Sequence, residues 1–540
     1  MRITLFLLAT WLATPTLAAI SGQVRDRTTD LPLQGIQVRL QAVPDSPVAI
    51  TGADGRFTLA AEPVGQVTVA AAKPYDHSIG AINYATDVAL TFNGASNVLI
   101  RLPRSPDTLT TPHTVQTSSQ CGGCHNMQRG EWQESRHAIA ASNAWVLDLY
   151  SGTGTAGGAA GFVFTNTRPD QSGFCATCHA PMQDVFTPGL LKLNEVSSDA
   201  GRDGVNCLAC HQIANVDANQ INGLHHVSKT AYRFPNSNSP NTNFHVFGPL
   251  PDVDDTPMRN IYSPLFQQPL LCASCHQYAN PSNGLVAQNT YGEWLESPFS
   301  APGPSFRACQ DCHMPNATES GILASGSSVE RPASQIHSHR IVGSTESSLR
   351  AAIKLRLSSR IQGNQLVVIG SVDNVGAGHA FPGGVSIRNA ILLLSAQRGS
   401  VALTQSGGPV VPNWASDDVA GVQAGDLGGL PGTGFAKILR GRINGTGPQV
   451  EPVLFIDAES IAENSLIGSG STRVTEVRFT LPPKTTLSEV NFSAKLIWRR
   501  AFRALSVSKG WTTAVDGGPI EIEIDAQTRN AERLFRSGFE

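Results

Sequence analysis

Two stretches of the chain alternate apolar and polar residues with the period of a β-strand, and a long stretch between them does not. In residues 20–103 the alternation runs through Ile20-Ser-Gly-Gln-Val-Arg-Asp26 and again through Pro32-Leu-Gln-Gly-Ile-Gln-Val-Arg-Leu40. Thr51-Gly-Ala-Asp-Gly-Arg-Phe-Thr-Leu59 then reads as a turn, centred on Asp54-Gly55, leading into a strand. About six short strands in so few residues predict a small β-sandwich. Residues 346–527 return to the same pattern in Lys354-Leu-Arg-Leu357, Gln365–Val372, Ala390–Leu394, Val474–Leu481 and Glu489–Trp498, which predicts a second, larger sandwich. Residues 104–345 are rich in Asn, Pro, Gly and Ser, with few amphipathic runs. They predict short helices and loops that lack an ordinary side-chain core. Residues 528–540 read as an exposed tail. The fold class expected is multidomain: β-sandwich, a central segment of short helices and loops, β-sandwich.

Composition sharpens this division. With 51 Gly and 34 Pro but only 15% charged residues in 540, the chain favours β-structure and long loops over helical bundles. A formal charge of −3, without a basic run, gives no footprint for nucleic acid or an anionic membrane surface. Residues 1–19 pair Arg2 with the apolar run Leu5–Leu12 and end in the small-residue stretch Pro15–Ala19, the pattern of a cleavable signal peptide. Export to the periplasm or the cell surface is therefore expected, with no transmembrane segment in the mature chain.

The chemistry sits in the middle segment. All ten cysteines fall in five Cys-x-x-Cys-His pentapeptides: Cys121–His125, Cys175–His179, Cys207–His211, Cys272–His276 and Cys309–His313. Two thiols on one short turn (Cys121 and Cys124, Cys175 and Cys178, Cys207 and Cys210, Cys272 and Cys275, Cys309 and Cys312) can reach the two vinyl groups of a haem. The adjacent imidazole then lands on the iron. A disulfide framework or a zinc site would also use cysteines, but neither accounts for a histidine after every second cysteine with no thiol left over. Five covalently bound c-type haems are expected, with His125, His179, His211, His276 and His313 as proximal iron ligands. In such a segment the apolar macrocycles stand in for the missing core.

Nine further histidines could face the irons from the other side. His137, in Gly130-Glu-Trp-Gln-Glu-Ser-Arg-His137, is the leading candidate, with His339 in a turn after the fifth site and His379 in a Gly/Pro loop between strands. His113 and one of His225 and His226 (His226 taken forward) come next, then His245 and His337, while His77 is expected at the surface. Gly292-Glu-Trp-Leu-Glu-Ser-Pro-Phe299 repeats the His137 segment with Phe299 in the histidine's place. Either another segment supplies that ligand or one haem has an open face.

These residues resemble known families. Cys121-Gly-Gly-Cys-His with Trp132-x-x-Ser135-x-His137, Gly204-Val-Asn-Cys-Leu-Ala-Cys-His211 and Cys309-Gln-Asp-Cys-His-Met-Pro315 are similar to sites of the cytochrome c-552/c-554 class, related to the hydroxylamine oxidoreductase type of haem packing. The Gly378-His-Ala-Phe-Pro-Gly loop with Arg388 resembles the histidine-bearing β-domain found at the end of many such proteins. Pro32-Leu-Gln-Gly and Asp54-Gly-Arg-Phe resemble a carboxypeptidase regulatory-like β-sandwich. The likeness implies stacked haem pairs, largely bis-histidine iron, and electron transfer. Redox partner proteins or an extracellular acceptor are expected to exchange those electrons, and the two β-domains, read as docking surfaces, would suit an oligomer. The alternative it leaves open is an oxidoreductase acting on a small nitrogen or sulfur compound at one open haem. No Cys-x-x-Cys-Lys site of the nitrite-reductase kind is present.

Overall fold

The computed structural model describes residues 19–60, 65–105, 108–109, 114–169, 173–223, 226, 229–235, 245–254, 258–280, 283–416 and 425–532. All of the expected signal peptide but Ala19, together with His113, His225 and most of the C-terminal tail, lies outside them.

At the N-terminal end, strand Ala19–Asp26 pairs antiparallel with Arg56–Ala60 and parallel with Val98–Leu102. A second sheet runs in the order Ala49–Ile50, Gln37–Leu40, Gln66–Ala72, Asp87–Phe92. Strict alternation of buried and part-exposed residues along Ala19–Asp26 turns Ile20 and Val24 inward. There they share one core with Val38, Leu59, Val69 and Ile100.

The C-terminal part holds two larger sheets. One orders Ile353–Gln362, Gln365–Asn374, Thr472–Thr480 and Gln405–Gly407; the other centres on Asn389–Arg398 and Val490–Arg499, flanked by Gly432–Gly441 and Glu521–Asn530. Leu366, Val368 and Val477 of the first sheet and Leu392, Phe492 and Leu496 of the second pack into a common core.

Between these β-layers the chain wraps a cavity instead of a core. Its apolar side chains form small clusters around individual pentapeptides, such as Met182, Leu208, Ile213 and Tyr232 in one and Tyr150, Phe164 and Ala176 in another. Four pentapeptides lie on or end short helices: Ala176–His179, Cys207–His211, Leu270–His276 and Cys309–His313. His125 is the N-cap of helix Asn126–Gln133. Two-residue to four-residue ladders also appear where only helices and loops were expected, including the parallel pair His245–Gly248 and Arg259–Tyr262. These ladders are too short for a period-2 pattern to show in the sequence.

The N-terminal module seats on that parallel pair. Tyr75 N–H donates to Tyr262 O at 2.8 Å and Thr86 N–H to Asn260 O at 2.9 Å, while the Tyr75 ring meets Phe247 edge-on at 4.8 Å.

Candidate haem-binding site

All ten cysteines and all five pentapeptide histidines line one cavity of about 2500 Å³, several times the roughly 300–1,000 Å³ of an ordinary ligand pocket. No cysteine is in a disulfide. Thiols of different pentapeptides lie against one another in three places: Cys121 with Cys207, Cys178 with Cys275, and Cys272 with Cys309.

Each pentapeptide imidazole is held by Nδ1. That nitrogen meets Leu323 O at 2.9 Å in His125, Ala140 O at 2.9 Å in His179 and Phe247 O at 2.7 Å in His211. His313 uses Val342 O, and His276 meets the Gln288 side-chain amide at 3.2 Å. In the four held by a carbonyl, an Nδ1–H pinned there leaves the Nε2 lone pair for a metal, the arrangement metal-binding histidines adopt. Burial keeps His137, His211 and His276 neutral: it pushes His276 down to about 3, and His211 and His137 to about 4, with neighbouring histidines adding to the effect.

Two rings outside the pentapeptides stand opposite pentapeptide histidines. His137 faces His276 with ring centres 6.1 Å apart, and His379 faces His313 at 6.4 Å with planes within 9°. Two metal–imidazole bonds of roughly 2 Å each, plus the ring radii, require a separation of about 6 Å. The cavity and these spacings fit a haem iron between each pair.

The repeat suspected from Gly-Glu-Trp-x-Glu-Ser extends to its hydrogen bonds. Trp132 Nε1 donates to Val205 O at 2.8 Å, and Trp294 Nε1 to Arg307 O at 2.9 Å; both acceptors lie two residues before a pentapeptide. Val205 N–H returns to His137 O and Arg307 N–H to Phe299 O, each at 3.0 Å. Glu131 accepts from His339 N–H at 2.8 Å, and Glu293 accepts from Ala380 N–H, beside His379, at 3.1 Å. Each copy's glutamate therefore anchors a segment carrying one of the leading distal candidates. Phe299 itself packs at the His379 loop, since a Cβ on Gly378 would come within 3.6 Å of its ring. Where the second copy lacks a histidine, the loop from the C-terminal sheets brings one to His313.

His339, with Nδ1 on His337 O at 3.0 Å, lies close enough for its charge to act on His211 and to feel that of His125. His226 is placed otherwise than expected of a distal ligand. Its Nδ1 meets Ser274 O at 3.0 Å and its Nε2 meets the Tyr232 hydroxyl at 2.8 Å, so both ring nitrogens are engaged. Tyr232 in turn donates to Ala209 O at 3.0 Å, and His226 N–H donates to Thr177 Oγ1 at 3.3 Å. Thr177, Ala209 and Ser274 each precede the second cysteine of a pentapeptide. The dyad therefore ties three attachment sites together, a role no sequence signal announced. Cys178, His226 and Cys275 could by spacing hold a metal ion, but the bonds to His226 compete with that use. His245 lies on a buried strand and does not line the cavity, whereas His337 does, with Nδ1 on Met314 O at 2.9 Å. His77 is exposed. No helix among the described residues is long and apolar enough to cross a membrane.

Residues 120–212 match the family model described as cytochrome c554 and c-prime. Among solved structures the chain is similar to a penta-heme cytochrome c552 from Thermochromatium tepidum, at 18% identity and a TM-score of 0.52, over 78% of this chain and 100% of that one. The Fcho1 Mu homology domain of Danio rerio with bound Eps15 peptide also aligns, at 8% identity over 34% of this chain and 44% of that one, with a TM-score of 0.11, too low to indicate a common fold. No curated protein matches.

Proposed function

We propose that this multihaem c-type cytochrome is exported and carries five covalently attached haems as a conduit for electrons. Haem bound at these sites supplies one-electron redox chemistry. The chain's own residues fix where and in what environment that happens. The observation that carries the reading is the pair of facing imidazoles, His137 with His276 and His379 with His313, at the spacing of a six-coordinate iron. The Glu131–His339 and Glu293–Ala380 correspondence favours His339 as the distal ligand on the iron of His211. The three thiol contacts bring the pentapeptides of 121 and 207 together and those of 178, 275 and 309 together, and the His226–Tyr232 joint links the two groups, neighbours suited to electron exchange with redox partner proteins or an extracellular acceptor.

One observation favours the alternative of an open, reactive haem. The Cys175–His179 site is walled by Tyr150, Phe162 and Phe164 packed on Cys175 and Ala176. Among the described residues no imidazole from outside the pentapeptides lies opposite His179 at the spacing His137 keeps from His276.

Low-temperature EPR of the oxidised holoprotein with spin quantitation separates the two. Five low-spin haems are expected from the conduit. One stoichiometric high-spin haem that responds to nitrite or hydroxylamine would give the lead to an enzyme.

A further inference from the structure

One wall of the cavity carries more positive charge than the chain neutralises. Arg388, at the end of the His379 loop, donates from Nη1 to Gly383 O at 3.1 Å and lies with its guanidinium carbon 5.9 Å from the centre of the Trp498 ring. Arg500 sits over the same ring at 5.2 Å, and its Nη1 is buried without a hydrogen-bond partner. Arg136, adjacent to His137, pairs with Asp516, which reaches Arg500 at 3.9 Å. One carboxylate thus serves two guanidiniums, and among the described residues none is paired with Arg388. All three arginines line the cavity, and the charge of Arg388 acts on both His276 and His379. Burial first, then Arg136 and Arg500, pulls Arg388 down to about 10, which still leaves it a cation at neutral pH.

Buried cations are stable only when an anion meets them, and a guanidinium fork suits a carboxylate. We propose that Arg136, Arg388 and Arg500 form a carboxylate-binding site for the propionates of the haems gripped by His137–His276 and His379–His313. The site holds those haems at a higher potential than they would otherwise have. A fixed positive charge favours the reduced iron, which carries one positive charge fewer. Electrons entering the chain would then settle preferentially at this end. The inference rests on the five-haem reading above.

The test is a spectropotentiometric titration of holoprotein, wild type against Arg388→Gln, Arg388→Lys and Arg136→Gln, after haem content is fixed by pyridine haemochrome and intact mass. A wild-type chain lacking the five haems would sink the underlying reading and not this site. With loading complete, Arg388→Gln should lower the potential of one or two haems by a factor of about ten in the redox equilibrium constant, ~59 mV per electron. Arg388→Lys should recover most of that, and Arg136→Gln should give a smaller shift in the same direction. If Arg388→Gln fails to load haem, the half-exposed Arg136 position carries the test. Titrations that superimpose on wild type overturn the proposal. So does a saturable response of the wild type to added nitrite or sulfite that Arg388→Gln abolishes, because it would assign the arginines to a free oxyanion.

Discussion

A histidine is available to iron only where one ring nitrogen is spent on the protein and the other is not, and this separates the candidates residue by residue. His137 and His379 stand opposite pentapeptide imidazoles, whereas His226 has both nitrogens occupied. Replacing His137 or His379 with Ala is expected to turn one haem high-spin, with water on the iron, while His226→Ala should leave the count of low-spin haems unchanged; EPR spin quantitation reads both. Away from the haems, Asp26 holds a buried charge in the N-terminal module. Burial works against its ionisation, but Arg104, the backbone N–H groups of Thr29 and Thr28, and the Tyr84 hydroxyl outweigh it and hold its carboxyl at about 2. Unfolded, the group would titrate near 3.9, so its contribution of roughly 2 kcal/mol is complete above about pH 4 and lost as pH falls toward 2. Hydrogen-exchange protection of residues 19–102 in the whole protein, taken relative to the intrinsic rate at each pH, should fall across that window, and Asp26→Asn should be less protected already at neutral pH.

At the scale of elements, the duplicated Gly-Glu-Trp helix is the unit that sets pentapeptide spacing. Trp132 and Trp294 make the same indole hydrogen bond to the backbone ahead of a pentapeptide, so Trp132→Phe and Trp294→Phe should each cost about 1 kcal/mol, measured as denaturant midpoint shifts at unchanged slope. The sequence exposed this repeat through five shared residues in a stretch of six, and it exposed strands where one face meets a core, as in Ile353–Gln362. It did not expose Gly432–Gly441, buried along nearly its whole length, because a strand covered on both faces has no alternation to read. The pentapeptides were legible since their chemistry is local. Their partners were legible only as a choice among histidines, since His137 meets His276 across 139 positions of chain and nothing local marks that contact. The Tyr232–His226 joint was invisible for the same reason: three carbonyl and hydroxyl groups from three pentapeptides converge only once the chain is folded.

For the whole molecule, the question is why a β-module with no histidine at the cavity should be attached to a haem segment. Its Tyr75 packs against Phe247, and the carbonyl of Phe247 is the group that orients His211. The module therefore braces His211 from behind. A buried ion pair fastens the same joint. Arg331 Nη1 reaches both Asp252 carboxylate oxygens, at 2.6 and 2.7 Å, with side chains 5% and 3% exposed, and Asp252 also accepts from Ala42 N–H of the module at 2.7 Å. One carboxylate thus joins the N-terminal sheets, the loop after Phe247 and the strand Glu330–Arg331. Asp252→Ala would leave Arg331 buried without its anion, a change that costs about 3–5 kcal/mol where a buried pair is broken from one side. Replacing both partners by apolar residues of similar size should cost much less, because no stranded charge remains. The measurement is a thermal melt followed at two places: the Soret band for the haem segment and hydrogen exchange for residues 19–102. If the module is a brace, Asp252→Ala should lower both transitions together and broaden the low-spin signal of the haem on His211. If it were merely a tethered spacer, its own exchange would rise while the Soret transition and that signal stayed where they are.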